Sequence, residues 1–375
     1  MLKMRIVKIF NNKQFMQFVR LPWKIYSGVK QWVPPLISDV IYTLSENKNP
    51  FWMHAKRQLF LAYDKNNDVV GRIVAIIDYS YISFHNDKCG FFGFYECIND
   101  LEVAMNLFIS AENWLKDQNI YKMIGPMNPS INYECGFLYD GFNINPSFMM
   151  PYTHKYYLQL VEKSGLKKIK ELYAYNMNIM KNLELEERLK KIVIMTKKRI
   201  PTLRIRNIQK KTYKEDLNTI ISIYNCAWEE NWGFIPYSMD EFLSIATRLK
   251  TIIDPEMILI ATIDDLPIGI IISLPDYNQV LKRINGKLFP IGLLKILYYR
   301  TKIDSLRLVI MGIIKGYRHK GIAAVMCEKG LENAIRLGYK HCEFSWILDN
   351  NIMTQHIAEI MNAKIYKKYA IYSNK

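Results

Sequence analysis

The chain has 375 residues, 50% hydrophobic and 23% charged, which is enough apolar material for two domain cores and excludes disorder as the main state. Its 51 Lys and Arg against 35 Asp and Glu leave a formal charge of +16, a field that attracts nucleic acid, an anionic membrane surface or a phosphorylated cofactor. Cys89, Cys97, Cys135, Cys226, Cys327 and Cys342 are scattered, with neither C-x-x-C spacing nor paired histidines, so neither zinc nor a disulfide framework is signalled and no metal is expected.

Residues 1–26 are interrupted by Lys3, Arg5, Lys8, Lys13 and Arg20 and hold no signal-peptide core. Apolar runs such as 257–263 fall short of the roughly 18 residues a bilayer demands. A cytoplasmic protein is expected, soluble or peripheral at the inner membrane. Phe15, Phe18, Trp23, Tyr26 and Trp32, mixed with Lys and Arg, fit either a core or a lipid surface.

Residues 59–78 read as a β-hairpin: an apolar strand, a polar turn, Gly71 and a second apolar strand. A strand at 90–95 comes next, then an acidic turn with Glu96, Asn99 and Asp100. Leu101, Ala104, Met105, Phe108 and Leu115 recur at helical spacing, and a strand at 121–124 closes the unit. Beyond it, Gly125-Pro-Met-Asn-Pro-Ser130 with Asn132, Glu134 and Gly136 reads either as a rigid proline-closed loop or as the lining of an acceptor cleft. Residues 176–215 carry Glu184, Glu186 and Glu187 ahead of Lys190, Lys191, Lys197, Lys198, Arg199, Arg204 and Arg206, either a site for an anionic partner or a solvated helix and linker.

The same rhythm returns in the second half. Residues 258–276 form a hairpin around Gly269, 306–314 a strand, 316–321 a basic turn, Ile322, Val325, Met326, Ala334 and Ile335 a helix, and 341–346 a strand. Two copies of one unit predict an α/β (α+β) protein of two tandem domains, residues 1–185 and 186–375, each a mixed sheet flanked by helices. Between the second hairpin and its strand, residues 288–302 interleave bulky apolar groups with Lys295, Arg300 and Lys302. This insertion fits an anionic membrane, the cover of a lipid chain, or ordinary core packing.

The second copy's turn, Gly316-Tyr317-Arg318-His319-Lys320-Gly321-Ile322-Ala323-Ala324, lies between strand and helix. A helix start presents amides without intrahelical partners and the positive end of the dipole, so a pyrophosphate would fit there. The acidic turn of the first copy would repel the same ligand.

Arg318-x-x-Gly321-x-Ala323 resembles the signature of the GNAT acyltransferase superfamily. The resemblance implies that the backbone around Arg318, His319, Lys320, Gly321, Ile322, Ala323 and Ala324 holds the pyrophosphate of acyl-CoA or acetyl-CoA. The thioester would then lie beside Met311, Gly312 and Ile313. Phe51-Trp52-x-His54-Ala55, Gly90-Phe-Phe-Gly-Phe, Gly125-Pro126-x-Asn128-Pro129-Ser130, Trp228-Glu229-x-Asn231-Trp232-Gly233-Phe234 and Ser345-Trp346-x-x-Asp349-Asn350 are similar to tandem GNAT-like relatives of bacterial ceramide synthases. That resemblance implies an N-acyltransferase moving an acyl group other than aminoacyl to an amphipathic amine such as a sphingoid base. The C-terminal domain would bind the donor, and a degenerate N-terminal domain would shape the acceptor cleft.

In many superfamily members an Asn after the last core strand is followed seven positions later by a Tyr that protonates the leaving thiolate. Counting from Asn351, that position holds Ala358, which leaves Tyr366, Tyr369 or solvent for the task. A turn glycine is replaced by Asn362, which tolerates left-handed geometry. Amide formation requires a neutral amine, and hence a base. Glu229 fits that role or a helix cap; Glu343 fits it or points to solvent; His356 on a predicted helix fits it or is an exposed structural histidine. A backbone N–H of the 311–313 strand is expected to face the oxyanion. Rival readings are an acetyltransferase of a small or protein amine, a Fem-like transferase using aminoacyl-tRNA, and a non-catalytic nucleic-acid-binding or cofactor-sensing module. No helix-turn-helix or aromatic RNA-binding motif supports a nucleic-acid partner.

Overall fold

The computed structural model describes residues 4–181, 187–209 and 211–375. Glu184 and Glu186, and the expected division at residue 185, lie outside the described residues.

The chain opens with β1 (Arg5–Lys8), α1 (Asn12–Ile25) and α2 (Ile37–Thr43). The first hairpin is β2 (Ala55–Tyr63) and β3 (Val69–Asp78), nearly every residue of β3 being buried. Then come α3 (Tyr79–His85), β4 (Cys89–Cys97), α4 (Leu101–Lys116), β5 (Lys122–Gly125), β6 (Met127–Asn128), β7 (Glu134–Cys135), β8 (Phe137–Asp140), α5 (Tyr156–Lys163) and β9 (Lys167–Asn178). The second run is α6 (Glu187–Arg199), β10 (Arg204–Asn207), α7 (Tyr213–Ala227), α8 (Met239–Leu249), β11 (Ile258–Ile263), β12 (Leu266–Pro275), α9 (Asn278–Leu281), α10 (Gly292–Tyr299), β13 (Ser305–Ile313), α11 (Ile322–Arg336), β14 (His341–Leu348), α12 (Ile352–Ile360) and β15 (Lys364–Ser373). Local chemistry sets several boundaries. Asp264 and Asp265, at φ 49° and 63°, form the two-residue turn that matches strand twist between β11 and β12. Ser238 and Glu241 close a reciprocal capping box at α8, and Asn351 caps α12 through the Thr354 amide.

The chain divides into two compact units. One gathers residues up to Glu171 with Val280–Leu297 and Lys367–Lys375; the other gathers Leu172–Gln279 and Tyr298–Tyr366. In the first unit the sheet runs β1-β2-β3-β4-β5 and is continued by the late residues of β15, where Tyr372 pairs with Gly125 and Ala370 with Phe137 of β8. β4 and β5 are parallel, joined by α4, whose Val103, Leu107, Phe108 and Leu115 pack with Phe92, Phe137, Tyr157 and Tyr372 into one core. In the second unit the order is β9-β14-β13-β12-β11-β10, β9 contributing Leu172–Asn178 against β14. β13 and β14 are its parallel pair, joined by α11. α11 and α6 cover one face, with Leu189, Val193, Ile322, Met326 and Phe344 in the core, and α7 covers the other through Ile220, Ile221 and Tyr224. Both units are thus mixed, mostly antiparallel sheets flanked by helices.

The basic stretch at 176–215 is core-forming along one side. Leu189, Val193 and Thr196 are buried while Lys191, Lys197 and Lys198 face solvent, so α6 is an amphipathic helix of the second unit. The insertion is anchored at its start, where Trp23 donates from Nε1 to Asn285 Oδ1 at 3.0 Å and the Ile37 amide to Gly286 O at 3.2 Å. Trp23, Tyr26 and Trp32 form an aromatic cluster in the first unit, Tyr26 stacking on His154, so these N-terminal rings pack against protein.

Candidate active site

The site is built where β13 and β14 part. The two parallel strands pair only from Ser305 and His341 to Leu308 and Phe344. The register of β12 against β13 slips between Ile272 and Ser273, leaving Val309 as an extra residue, and a bulge of this kind bends a strand and re-aims the side chains beyond it. From there Met311, Gly312 and Ile313 remain paired with β12 through Ile271, Ile270 and Gly269, and their other edge has no register with β14. Met311 and Ile313 turn into the α11 core. Gly312 turns to the opposite face beneath Trp228: a Cβ there would lie 2.1 Å from the indole ring. The Trp228 segment and the 311–313 strand, which stand out separately in the sequence, meet at this point.

At the end of β13 the basic turn leads into α11. Gly321, at φ 81° and ψ 1°, occupies the N-cap in the left-handed region, and His319 has φ 61°. Among the described residues, no protein acceptor takes the amides of His319, Lys320, Gly321, Ile322 and Ala323. The Ala324 amide is already given to Gly321 O at 3.1 Å. Ile322 and Ala324 are buried, so any ligand meets the backbone there, while the His319 and Lys320 side chains are exposed. The Arg318 guanidinium turns inward, donating to Ile313 O at 3.1 Å, Ala227 O at 2.8 Å and Glu230 at 3.3 Å. It therefore fastens the loop to β13 and to the end of α7. Thr196 and Arg199 of α6 both donate to Lys320 O and fix the loop from its other side. The hydrogen bond and charge of Lys315 hold the Glu230 carboxyl below its ordinary range.

On the face shared with Gly312, a buried polar cluster lies across β13, β14 and β15. Arg307 donates from Nε to Ser345 Oγ at 2.8 Å and from a terminal nitrogen to Ser345 O at 3.1 Å; its Nε stands 3.9 Å from Glu343. The Ser345 hydroxyl donates to Glu343 Oε1 at 2.5 Å and the Tyr366 hydroxyl to Glu343 Oε2. Glu343 is thus buried, which corrects the alternative that points it to solvent. Glu229 is exposed, just beyond the Trp228 cap of α7, and Glu230 makes the contacts to the loop. His356 is exposed on α12, Ala358 is fully buried on the same helix, and Asn362 adopts φ 57° as its side chain allows. Tyr369 is buried in the first unit. Sequence reasoning misses Arg307, Thr196 and Glu230, and singles out Arg199 and Ser345 without their partners; a lone arginine inside the apolar run Leu306-Arg-Leu-Val-Ile is the available signal for the first.

The matching place in the first unit differs in kind. Glu96 belongs to β4 rather than to the acidic turn, accepts from the Tyr157 hydroxyl at 2.7 Å and pairs with Arg72 at 3.5 Å. Burial pushes its carboxyl above the ordinary range, against the lowering influence of Arg72 and Tyr157. Asp100 caps α4 by accepting from the Val103 amide at 3.1 Å, and Tyr156 and Tyr157 engage the backbone of Cys97. A carboxylate thus holds the position that an anion would require. Asp100→Ala is expected to lower stability by about 1 kcal/mol through the lost cap, readable as a urea midpoint shift. The 125–136 loop packs tightly on β4: Asn128 Oδ1 accepts from the Phe94 amide at 2.6 Å, and a Cβ at Gly93 would meet Met127 O at 1.7 Å.

Among the described residues no group of three or more His, Cys, Asp or Glu is arranged to hold a metal ion, and no helix is long and apolar enough to cross a membrane.

Tandem mixed sheets, a parted parallel strand pair and a helix start with open amides define the class of GNAT-fold tandem proteins. The solved tandem GNAT protein from the clavulanic acid biosynthesis pathway superposes with a TM-score of 0.58 at 8% identity, over 99% of this chain and 98% of that one. No family model matches the chain. Protein YghO of Escherichia coli is 33% identical over 98% of this chain and 94% of its own length. The bacterial ceramide synthase of Caulobacter vibrioides is 31% identical over 98% and 96%. The chain belongs to the family that includes these two proteins, and it has the tandem GNAT fold.

Proposed function

We propose that the protein transfers an acyl group from acyl-CoA to an amine, with an amphipathic amine such as a sphingoid base as preferred acceptor. The observation that carries this reading is the run of amides at residues 319–323, held open by Arg318, Thr196 and Arg199 at the foot of the parted strands. Backbone donors at a helix start fit a pyrophosphate, and the first unit, with Asp100 at the equivalent place, is a degenerate copy in this reading. The name of the Caulobacter vibrioides relative favours the sphingoid acceptor and a long-chain donor.

The chemistry rests on the cluster on the face of Gly312. A thioester supplies an activated carbonyl and a thiolate leaving group. Amides on the free edge of residues 311–313 face the developing oxyanion. Glu343 takes the proton that the attacking amine loses, directly or through water, and Tyr366 gives its hydroxyl proton to the thiolate and regains one by way of Glu343. Arg307 and Ser345 hold the carboxylate in place. In this scheme Tyr366 replaces the tyrosine absent at Ala358. Glu229, exposed beside the loop, is the alternative base.

The test is a mass-spectrometric product assay with sphingoid bases, small amines and a range of acyl-CoA donors. An N-acylated sphingoid product is the expected result. Acylation of small or protein amines alone would remove the acceptor, and dependence on aminoacyl-tRNA would remove the donor. Gly312→Ala tests the seat of the reacting carbonyl. The added methyl must displace Trp228 from the 311–313 strand, so kcat/KM is expected to fall roughly tenfold, equivalent to about 1.4 kcal/mol.

A further inference from the structure

We infer that residues 288–299 dock the protein onto an anionic lipid bilayer. The first observation is exposure. Phe289 is 76% exposed, Leu294 66% and Ile291 60%, with Leu293, Leu297 and Tyr298 beside them in the sequence also exposed. Scattered exposed leucines are ordinary, but six bulky apolar side chains within one ten-residue stretch form a patch that marks an interaction surface. The second observation is charge. Residues 277–303 contain no Asp or Glu, while Lys282, Arg283, Lys287, Lys295, Arg300 and Lys302 supply six cations. A protein partner with an apolar groove would not select for so one-sided a charge; a surface of phosphate headgroups over hydrocarbon does.

The third observation is that the segment is held rather than frayed. Its base is tied down within the first unit by Trp23 on Asn285, by the Ile37 amide on Gly286 O and by Lys282 on Asn145 at 3.1 Å. Val280 and Ile284 are buried, and Gly292 lies so close to Lys287 O that a Cβ would fall 2.1 Å from it. Lys295 donates to Arg283 O, closing the turn. Lys302 lies 4.0 Å from the Tyr298 ring centre, an aromatic and cation pair at the headgroup level of such a surface. The apolar side chains are therefore displayed on an anchored base, and little ordering entropy is lost when they insert. The corresponding stretch of the first copy is only α3, between β3 and β4, so the device belongs to the second copy alone.

The inference stands apart from acyl transfer, because it is measured with neither donor nor acceptor. The full chain is sedimented with vesicles of phosphatidylcholine alone and of phosphatidylcholine mixed with phosphatidylglycerol. Binding is expected to be roughly tenfold tighter to the mixed vesicles and to weaken as salt rises. Phe289→Ser with Leu294→Ser is expected to lower that binding roughly tenfold, and Lys287→Gln with Lys295→Gln to weaken it on the anionic vesicles only. The thermal unfolding midpoint should stay unchanged in both variants, which reports that they fold. Equal binding to both vesicle types, unchanged binding of the serine variant, or conversion of a dimer into a monomer by that variant would overturn the inference.

Discussion

Gly321→Ala is expected to lower CoA affinity roughly hundredfold, about 2.7 kcal/mol, measured by calorimetry with the free nucleotide. Two independent costs arise at this position. The backbone sits at φ 81°, where an L side chain adds strain of about 1 kcal/mol, and the new Cβ would lie 2.0 Å from Thr196 Oγ1 and 3.2 Å from Ile192 Cγ2. Thr196, with Arg199, also fixes Lys320 O, so pushing it aside loosens the loop whose amides are proposed to hold the diphosphate. Thr196→Ala alone removes that hydrogen bond without the clash or the backbone strain, and is expected to lower affinity by less than Gly321→Ala. Thermal unfolding of each variant separates loss of fold from loss of binding. Native-like CoA affinity in a folded Gly321→Ala protein would remove the foundation of the proposed function.

The second large effect is expected at the buried cluster. Arg307→Met leaves Glu343 in the interior without its counter-charge, and breaking a buried pair from one side costs about 3–5 kcal/mol. The urea midpoint should fall accordingly. Tyr366→Phe acts differently: it removes one hydroxyl donor, leaves Ser345 and Arg307 on the carboxylate, and should cost only about 1 kcal/mol of stability. Its effect on turnover is expected to be roughly hundredfold, within the range for a lost general acid. The contrast is diagnostic. If Tyr366 were only a packing residue, kcat and its pH profile would stay as they are while stability moved. Combining Tyr366→Phe with Glu343→Gln should cost little more in kcat than the worse single change, because the two act on one proton path.

Much of this arrangement is legible in the residues. The paired rhythm of hairpin, strand, helix and strand implies two tandem units, since the switch between apolar periods of two and 3.6 marks each element. The turn at Gly321 is recognisable because a glycine that follows a basic turn and opens a helix has few other uses, and Asn362 takes the left-handed geometry its side chain permits. Glu343 and Tyr366 each stand out in the sequence, but their meeting does not, because α12 lies between the strands that carry them and periodicity says nothing of which strand lies beside which. The choice between Glu229 and Glu230 is equally invisible. Adjacent residues leaving a helix end project in different directions, and only the fold puts Glu230 on Lys315 and Arg318. Thr196 and Arg199 read as members of a charged stretch, since their partner Lys320 is more than a hundred positions away, 124 and 121 respectively.

The late strand in the first unit has a consequence for how the protein is made. β5 is finished early in synthesis, yet its antiparallel neighbour contains Tyr372, and the Met123 amide finds its acceptor on Asn374, 251 positions later. A ribosome adding residues at a steady rate must translate the whole of the second unit before the first can be sealed. Until then an unpaired strand edge stays open, and long-range closure of this kind is slow. A nascent chain stalled after β9 should therefore hold a half-finished sheet that chaperones can recognise, and the first unit is completed only after the residues of the second have been made.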